Sequence, residues 1–213
     1  MTDLDPDRQL ALVYVPARVR PALEALWRLD ATFAAVLAGG RDPMVSRLRL
    51  AWWREALEAL DAREPPAEPL LQALAAHVLP LGVHGSELAG MEEAWEILLS
   101  DQPLTAGEQA RYASRRGGLL FEQSARLLGV PDFPVAASGA LWALVDLARH
   151  SSGRDEVRIP PAESPGRWPR ALRPLGMLAA LARRDADRLG KPWEGQGKPA
   201  RMLRIIRHRL TGH

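Results

Sequence analysis

The chain has 213 residues, 47% hydrophobic and 25% charged, which is enough for one well-buried core and too few for two. It contains no cysteine, which excludes disulfides, thiolate metal sites and a cysteine nucleophile and suits a reducing cytosol. The N-terminus is acidic, and no apolar run approaches the roughly 18 residues that a spanning helix needs. We therefore expect one domain over residues 1–213, cytoplasmic and either soluble or peripheral to a membrane.

The charge is unevenly distributed along the chain. Residues 1–64 carry 9 basic and 10 acidic side chains, residues 65–110 carry 0 and 7, and residues 111–213 carry 19 and 9. A basic second half can attract diphosphates, anionic lipid heads, acidic protein surfaces or nucleic acid. Because no helix-turn-helix, zinc finger or aromatic-interleaved basic motif is present, we expect no nucleic-acid partner.

Helical periodicity runs along the whole chain, and no alternating pattern indicates a strand, so we expect an all-α fold. Pro21 in a first turn and Gly39-Gly40 at the end bound one helix, and a wide apolar face with Trp52 and Trp53 marks the next as central. We assign both tryptophans to the core. The predicted helices cover about residues 22–38, 43–60, 70–79, 86–99, 106–128, 134–151, 170–189 and 199–210.

Two glycines interrupt the helix that begins after Thr105. Thr105 and Glu108 form a capping-box pattern, so the start is well defined. Gly117 and Gly118 would each weaken a helix interior by roughly 1 kcal/mol. Either a neighbouring helix packs very close there or the helix kinks, and we favour close packing.

The last predicted helix, at about residues 199–210, is basic and amphipathic. It sets Met202, Leu203, Ile205, Ile206 and Leu210 against Arg201, Arg204, Arg207 and Arg209. Such a helix suits an anionic bilayer or a protein partner. The alternative is that it caps the core of its own domain.

Five short motifs occur in a characteristic order. They are Leu26-Trp27, Arg49-Leu50-Ala51-Trp52-Trp53-Arg54, Tyr112-Ala113-Ser114-Arg115-Arg116-Gly117-Gly118, Leu147-Ala148-Arg149 and Val157-Arg158-Ile159-Pro160. In this order they resemble the squalene/phytoene synthase family. The run from Arg49 to Leu57 is most similar to a divergent branch whose mitochondrial relatives assist assembly of respiratory complex I.

The resemblance implies a helical bundle of the isoprenoid (terpenoid) synthase type, shortened around residues 152–168. It also implies head-to-head joining of isoprenoid diphosphates, with two facing Asp-x-x-x-Asp motifs that hold Mg²⁺. A magnesium cluster neutralises the departing pyrophosphate as a Lewis acid.

Both acidic motifs are absent from this chain. Matching the flanking residues puts the first motif on Ala34 and Ala38 and the second on His150 and Arg154. We therefore assign no catalytic residue. The resemblance implies substrate-binding roles for Tyr112, Arg115, Gly118 and Arg149; the alternative is a core tyrosine, a helix-packing glycine and surface arginines.

Two acids precede the lost positions by one helical turn, about 6 Å. Asp30 lies four residues before Ala34, and Asp146 lies four before His150, so both are candidate metal ligands. Asp146 and His150 have a spacing compatible with a transition metal. Alternatively, Asp146 pairs with Arg149 or Arg115, and His150 lies at a helix C-terminus, where a cation is favoured.

These observations favour a non-catalytic isoprenoid-binding, lipid-binding or assembly factor without a cofactor, with a protein partner or a peripheral contact to the inner membrane. The alternative is an active prenyl-diphosphate transferase that binds an isoprenoid diphosphate and Mg²⁺ through a rearranged site using Asp30, Asp146 or Asp155.

Overall fold

The computed structural model describes residues 3–40, 42–100, 102–150, 157–161 and 166–213. The regular elements of these residues are helices, so the predicted all-α fold class is confirmed. The α-helices are α1 (Pro6–Val13), α2 (Arg20–Gly39), α3 (Pro43–Ala59), α4 (Pro69–His77), α5 (Gly85–Ala89), α6 (Glu92–Ile97), α7 (Ala106–Ala113), α8 (Leu119–Leu127), α9 (Ala136–His150), α10 (Arg173–Ala186) and α11 (Pro199–Thr211).

Local signals explain most helix starts. Pro6, Pro43, Pro69 and Pro199 occupy first-turn positions, where their fixed φ suits a helix and their missing N–H is not needed. Asp5 caps α1 by accepting from the backbone N–H groups of Asp7 and Arg8, each at 3.0 Å. Helix α1 was not predicted from the sequence, and α5 and α6 were predicted as one helix over residues 86–99.

The core brings α2, α8 and α9 together around large buried side chains. Trp27 of α2 is fully buried, and its indole N–H donates to the hydroxyl of Ser124 on α8 at 3.1 Å. On α3, Trp53 is buried, but Trp52 is 47% exposed, so assigning both tryptophans to the core was wrong for Trp52. No helix in the described ranges is both long and apolar enough to cross a bilayer.

The two glycines lie in a π-helical turn between α7 and α8, over Ser114–Gly118. A Cβ at Gly117 would overlap the carbonyl oxygen of Gly139 on α9, and one at Gly139 would overlap the carbonyl oxygen of Gly117. At Gly118 the nearest atom would be 3.9 Å away. Close packing is thus confirmed at Gly117, and the helix is also distorted there.

We expect Gly117→Ala to lower the free energy of unfolding by about 3 kcal/mol or more, because two backbones would have to separate. Gly107 is the control: a Cβ there meets nothing within 4 Å, so Gly107→Ala should be neutral or stabilising by up to about 1 kcal/mol. Urea unfolding measures both. Equal effects of the two substitutions would refute the close approach.

His208 gives the fold a second testable property. It lies on the inner face of α11, 2% exposed, with its ring against Trp168. Burial, together with the charges of Arg173 and Arg183, lowers the pKa of His208 to about 4. The folded protein therefore keeps this imidazole neutral, whereas the unfolded chain protonates it below about pH 6.5.

Because the unfolded state binds the extra proton, this residue's contribution to stability falls as the pH drops from about 6.5 to about 4. One such group gives the plot of unfolding free energy against pH a slope that approaches about 1.4 kcal/mol per pH unit. We expect His208→Gln to reduce the steepness of unfolding free energy against pH in this window. An unchanged slope in urea titrations from pH 4 to 7 would contradict the buried neutral imidazole.

Candidate functional site

The centre of the helical bundle holds a buried arginine between two carboxylates. Arg116, in the π-helical turn, is 1% exposed. Its Nε and Nη2 donate to the two carboxylate oxygens of Asp30 at 2.8 and 3.1 Å, and its Nη1 donates to Asp146 at 2.7 Å. Asp30 comes from α2 and Asp146 from α9, so one guanidinium joins three elements.

Aromatic rings enclose the same guanidinium. Its carbon lies 4.4 Å from the ring centroid of Trp95 and 4.8 Å from that of Trp142. Nη1 also donates to the hydroxyl of Tyr112. Rings of this kind attract a desolvated cation through their negative faces. Hydrogen bonds and rings together replace the water that the guanidinium has lost.

A second guanidinium completes the coordination of Asp30. Arg8 of α1 donates to Asp30 at 2.9 Å and also pairs with Asp5. Burial acts to raise the pKa of Asp30, but Arg116 and Arg8 outweigh it and hold the pKa below its usual value. Burial alone would lower the pKa of Arg116, but Asp30, Tyr112 and Asp146 raise it well above its usual value. The cluster is therefore charged and internally compensated.

A neighbouring ion cluster lies between α1, α9, α10 and α11. Arg201 donates to Asp7 and Asp185, and Arg149 also donates to Asp185 at 2.9 Å. A cavity of about 30 Å³ separates this cluster from Asp146. This volume suits about one water molecule and is far too small for a prenyl chain.

The residues expected to bind substrate are not brought together. Tyr112 is buried in the Arg116 cluster, where burial raises its pKa. Arg115 is on the surface and pairs with Glu93 at 3.0 Å, and Gly118 borders the same outer groove as Arg115. Arg149 bonds Asp185 and the carbonyl of Glu194. The structure thus gathers no single diphosphate pocket from these four residues.

Two of the lost motif positions lie on α2 and one at the end of α9. Ala34 is half-buried and Ala38 is exposed on α2, while Arg154 and Asp155 lie outside the described residues. His150 is the last residue of α9, and its Nδ1 lies 2.8 Å from the carbonyl oxygen of Asp146 and 3.4 Å from Oδ1 of the same residue. The expected arginine partner of Asp146 was wrong, since Asp146 pairs with Arg116 rather than with Arg115 or Arg149.

Asp30 and Asp146 do not fit a divalent cation in this arrangement. The guanidinium of Arg116 lies between them, where a shared metal ion would have to lie, and it bonds both oxygens of Asp30 and Oδ2 of Asp146. Within the described ranges, no three His, Cys, Asp or Glu side chains form a group that could hold a metal ion. Asp30 and Asp146, the two candidate metal ligands, therefore bind the guanidinium of Arg116 in this structure.

Arg116 and Arg8 were not predicted as site residues. Arg116 stands inside the Arg-Arg-Gly-Gly motif, four residues after Tyr112, and this spacing is the signal that places it on the same helix face as Tyr112. Arg8 belongs to the unpredicted α1, although Asp5-Pro6 is a recognisable cap-and-proline start.

A family model for squalene/phytoene synthase matches residues 1–155. The chain therefore belongs to the squalene/phytoene synthase family, whose all-helical isoprenoid synthase-type fold and prenyltransferase-type chemistry provide its context. Neither a curated protein nor a solved structure matches the chain.

We expect Arg116→Ala to cost about 3–5 kcal/mol of unfolding free energy, because it leaves Asp30 buried with less compensation and opens a void between two tryptophans. The adjacent Arg115 is the matched control: its pair with Glu93 is half-exposed, so Arg115→Ala should cost less than about 1 kcal/mol.

A double-mutant cycle separates charge pairing from packing. Asp30→Asn combined with Arg116→Gln should be less destabilising than the two single changes added, by on the order of 2 kcal/mol, because each single change strands the other charge. Additive effects in urea unfolding would show that the two side chains are not coupled.

Proposed function

We propose that this chain is a non-catalytic member of the squalene/phytoene synthase family that acts as a binding or assembly factor. The observation that supports the proposal is Arg116, which bridges Asp30 and Asp146 at the centre of the bundle. The guanidinium of Arg116 places a positive charge between the two opposing carboxylates. Because it is part of the chain, it cannot dissociate as a bound metal ion could.

Charge and space both support this proposal. Arg8 and Arg116 already neutralise the buried Asp30, so a divalent ion would have to displace a guanidinium and bring two further positive charges into a buried site. The indole rings of Trp95 and Trp142 lie on either side of Arg116, where a prenyl chain would need an open cavity. We therefore place ligand binding on outer surfaces rather than in the bundle centre.

The alternative is an active prenyl-diphosphate transferase with a rearranged metal site. It requires Asp30 or Asp146 to release Arg116 when substrate and metal bind. The observation that favours this alternative is the outer groove beside Arg115 and Gly118. In this groove the guanidinium of Arg115 lies next to small apolar residues of α9.

We expect purified protein incubated with farnesyl or geranylgeranyl diphosphate to release no pyrophosphate, with Mg²⁺, with Mn²⁺ or without metal. Calorimetry with each metal alone should show no saturable binding, because the carboxylates are already paired. Saturable binding of a prenyl diphosphate without turnover would support a lipid-binding role, and no binding would support a role with protein partners.

Turnover would overturn the proposal if it also depended on the central acids. The test compares Asp146→Asn with Glu93→Gln, which removes a carboxylate from the exposed Arg115 pair. Turnover abolished by the first substitution and retained by the second would establish the rearranged metal site.

A further inference from the structure

Helix α11 has its polar and apolar faces reversed. Its inward residues, Arg201, Ile205 and His208, are 3%, 0% and 2% exposed. Its outward residues are apolar: Leu203 is 68% exposed and Leu210 71%, with Ile206 at 42% and Met202 at 39%. A helix covering only its own core would show the opposite pattern.

Buried ion pairs fix this orientation. Arg201 donates to Asp185 at 2.7 Å and to Asp7 at 2.9 Å, with all three side chains almost fully buried. Rotating α11 to bury its leucines would break these pairs and leave carboxylates uncompensated in the interior. The outward apolar row is therefore held in place by the fold.

The exposed apolar residues form one continuous stripe. Met202, Ile206 and Leu210 follow each other at four-residue spacing, and Leu203 lies beside them three residues before Ile206. Single exposed apolar residues are common, whereas a contiguous row of four on one helix marks an interaction surface.

Positive charge surrounds the stripe. Residues 166–213 carry 12 Lys and Arg side chains against 3 Asp and Glu. Partial burial and the neighbouring Arg184 and Arg207 lower the pKa of Arg204. Arg207 is exposed on one flank of the stripe, and the half-buried Arg209 lies on the other, 5.6 Å from the ring of Tyr14.

We propose that the outward face of α11 docks on an anionic lipid bilayer. Leu203, Ile206 and Leu210 would enter the boundary between headgroups and acyl chains, and the flanking arginines would bind the headgroup phosphates. An apolar stripe with guanidinium groups on both sides is the chemistry of a helix lying in a membrane interface.

Charge decides between a bilayer and other occupants of this face. A second copy of the chain would bring two strongly cationic surfaces together, which is repulsive. Nucleic acid would use the arginines but leave the leucines in water. The inference does not depend on the proposed function, because the stripe shares no residue with the Arg116 cluster.

The chain has no cysteine, so a single reporter can be placed at will. Leu210→Cys labelled with an environment-sensitive fluorophore should show a blue-shifted emission when vesicles containing about 30% phosphatidylglycerol are added, and little change with pure phosphatidylcholine. Leu81→Cys is the matched control: Leu81 is 42% exposed and lies in residues 65–110, which carry no basic side chain, so its label should not shift. An equal shift at both positions, or none at Leu210, would overturn the proposal.

Vesicle co-sedimentation tests the apolar stripe and the flanking arginines separately. Leu203→Asn with Leu210→Asn should reduce partitioning onto the anionic vesicles by about tenfold or more, and Leu81→Asn should leave it unchanged. Arg207→Glu should weaken vesicle binding and reduce its dependence on salt concentration. Arg111→Glu makes the same charge reversal on the exposed face of α7, and its effect should be smaller. Circular dichroism confirms that each variant is folded.

Four results would contradict docking on a bilayer. Wild-type protein that stays in solution with anionic vesicles would do so, as would vesicle binding that none of the α11 variants reduces. Light scattering that shows a dimer, converted to monomer by Leu203→Asn, would assign the stripe to a second copy. Duplex DNA binding that Arg207→Glu weakens and Leu203→Asn leaves intact, without vesicle binding, would assign the face to nucleic acid.

Discussion

The contact between Arg116 and Asp30 is the interaction on which the rest of this structure depends. Both side chains are almost completely removed from water, so each charge is tolerable only while the other is in place. Asp30 also requires Arg8, and Arg116 also requires Asp146, which ties α1, α2, α9 and the π-helical turn to one point. The relative positions of four elements thus follow from compensating a few buried charges, whereas apolar packing alone would tolerate small shifts.

Arg116 reaches that point from the π-helical turn. Tyr112 and Arg116 lie four residues apart and both face the bundle centre, while Arg115 lies on the surface. Gly117 then lets the backbone of α9 approach closely enough for Asp146 to reach the guanidinium. Close packing and the ion pair support each other.

Much of the fold was predictable from the sequence, because helix periodicity, first-turn prolines and the Thr105 cap are local signals. The site was only partly predictable. Asp30 and Asp146 were found because they lie one turn from the lost motif positions, but their partners were not. Arg8 lies 22 residues from Asp30 in the sequence, and Arg116 lies 86 residues from it. No local sequence pattern therefore predicts either ion pair. The helical period favours Arg116 over Arg115 as the inward arginine, because Arg116 lies four residues after Tyr112, but it does not identify the carboxylates that Arg116 binds.

Internal ion pairs stabilise the carboxylates of this bundle. A bundle that encloses carboxylates at its centre is stable only if cations compensate them, and in this chain Arg116 and Arg8 provide that compensation for Asp30. The ion pairs of Arg201 extend the same principle to the outer layer, where they hold α11 with its leucines turned outward. Charge compensation inside the bundle and an apolar face outside it are therefore two results of one arrangement.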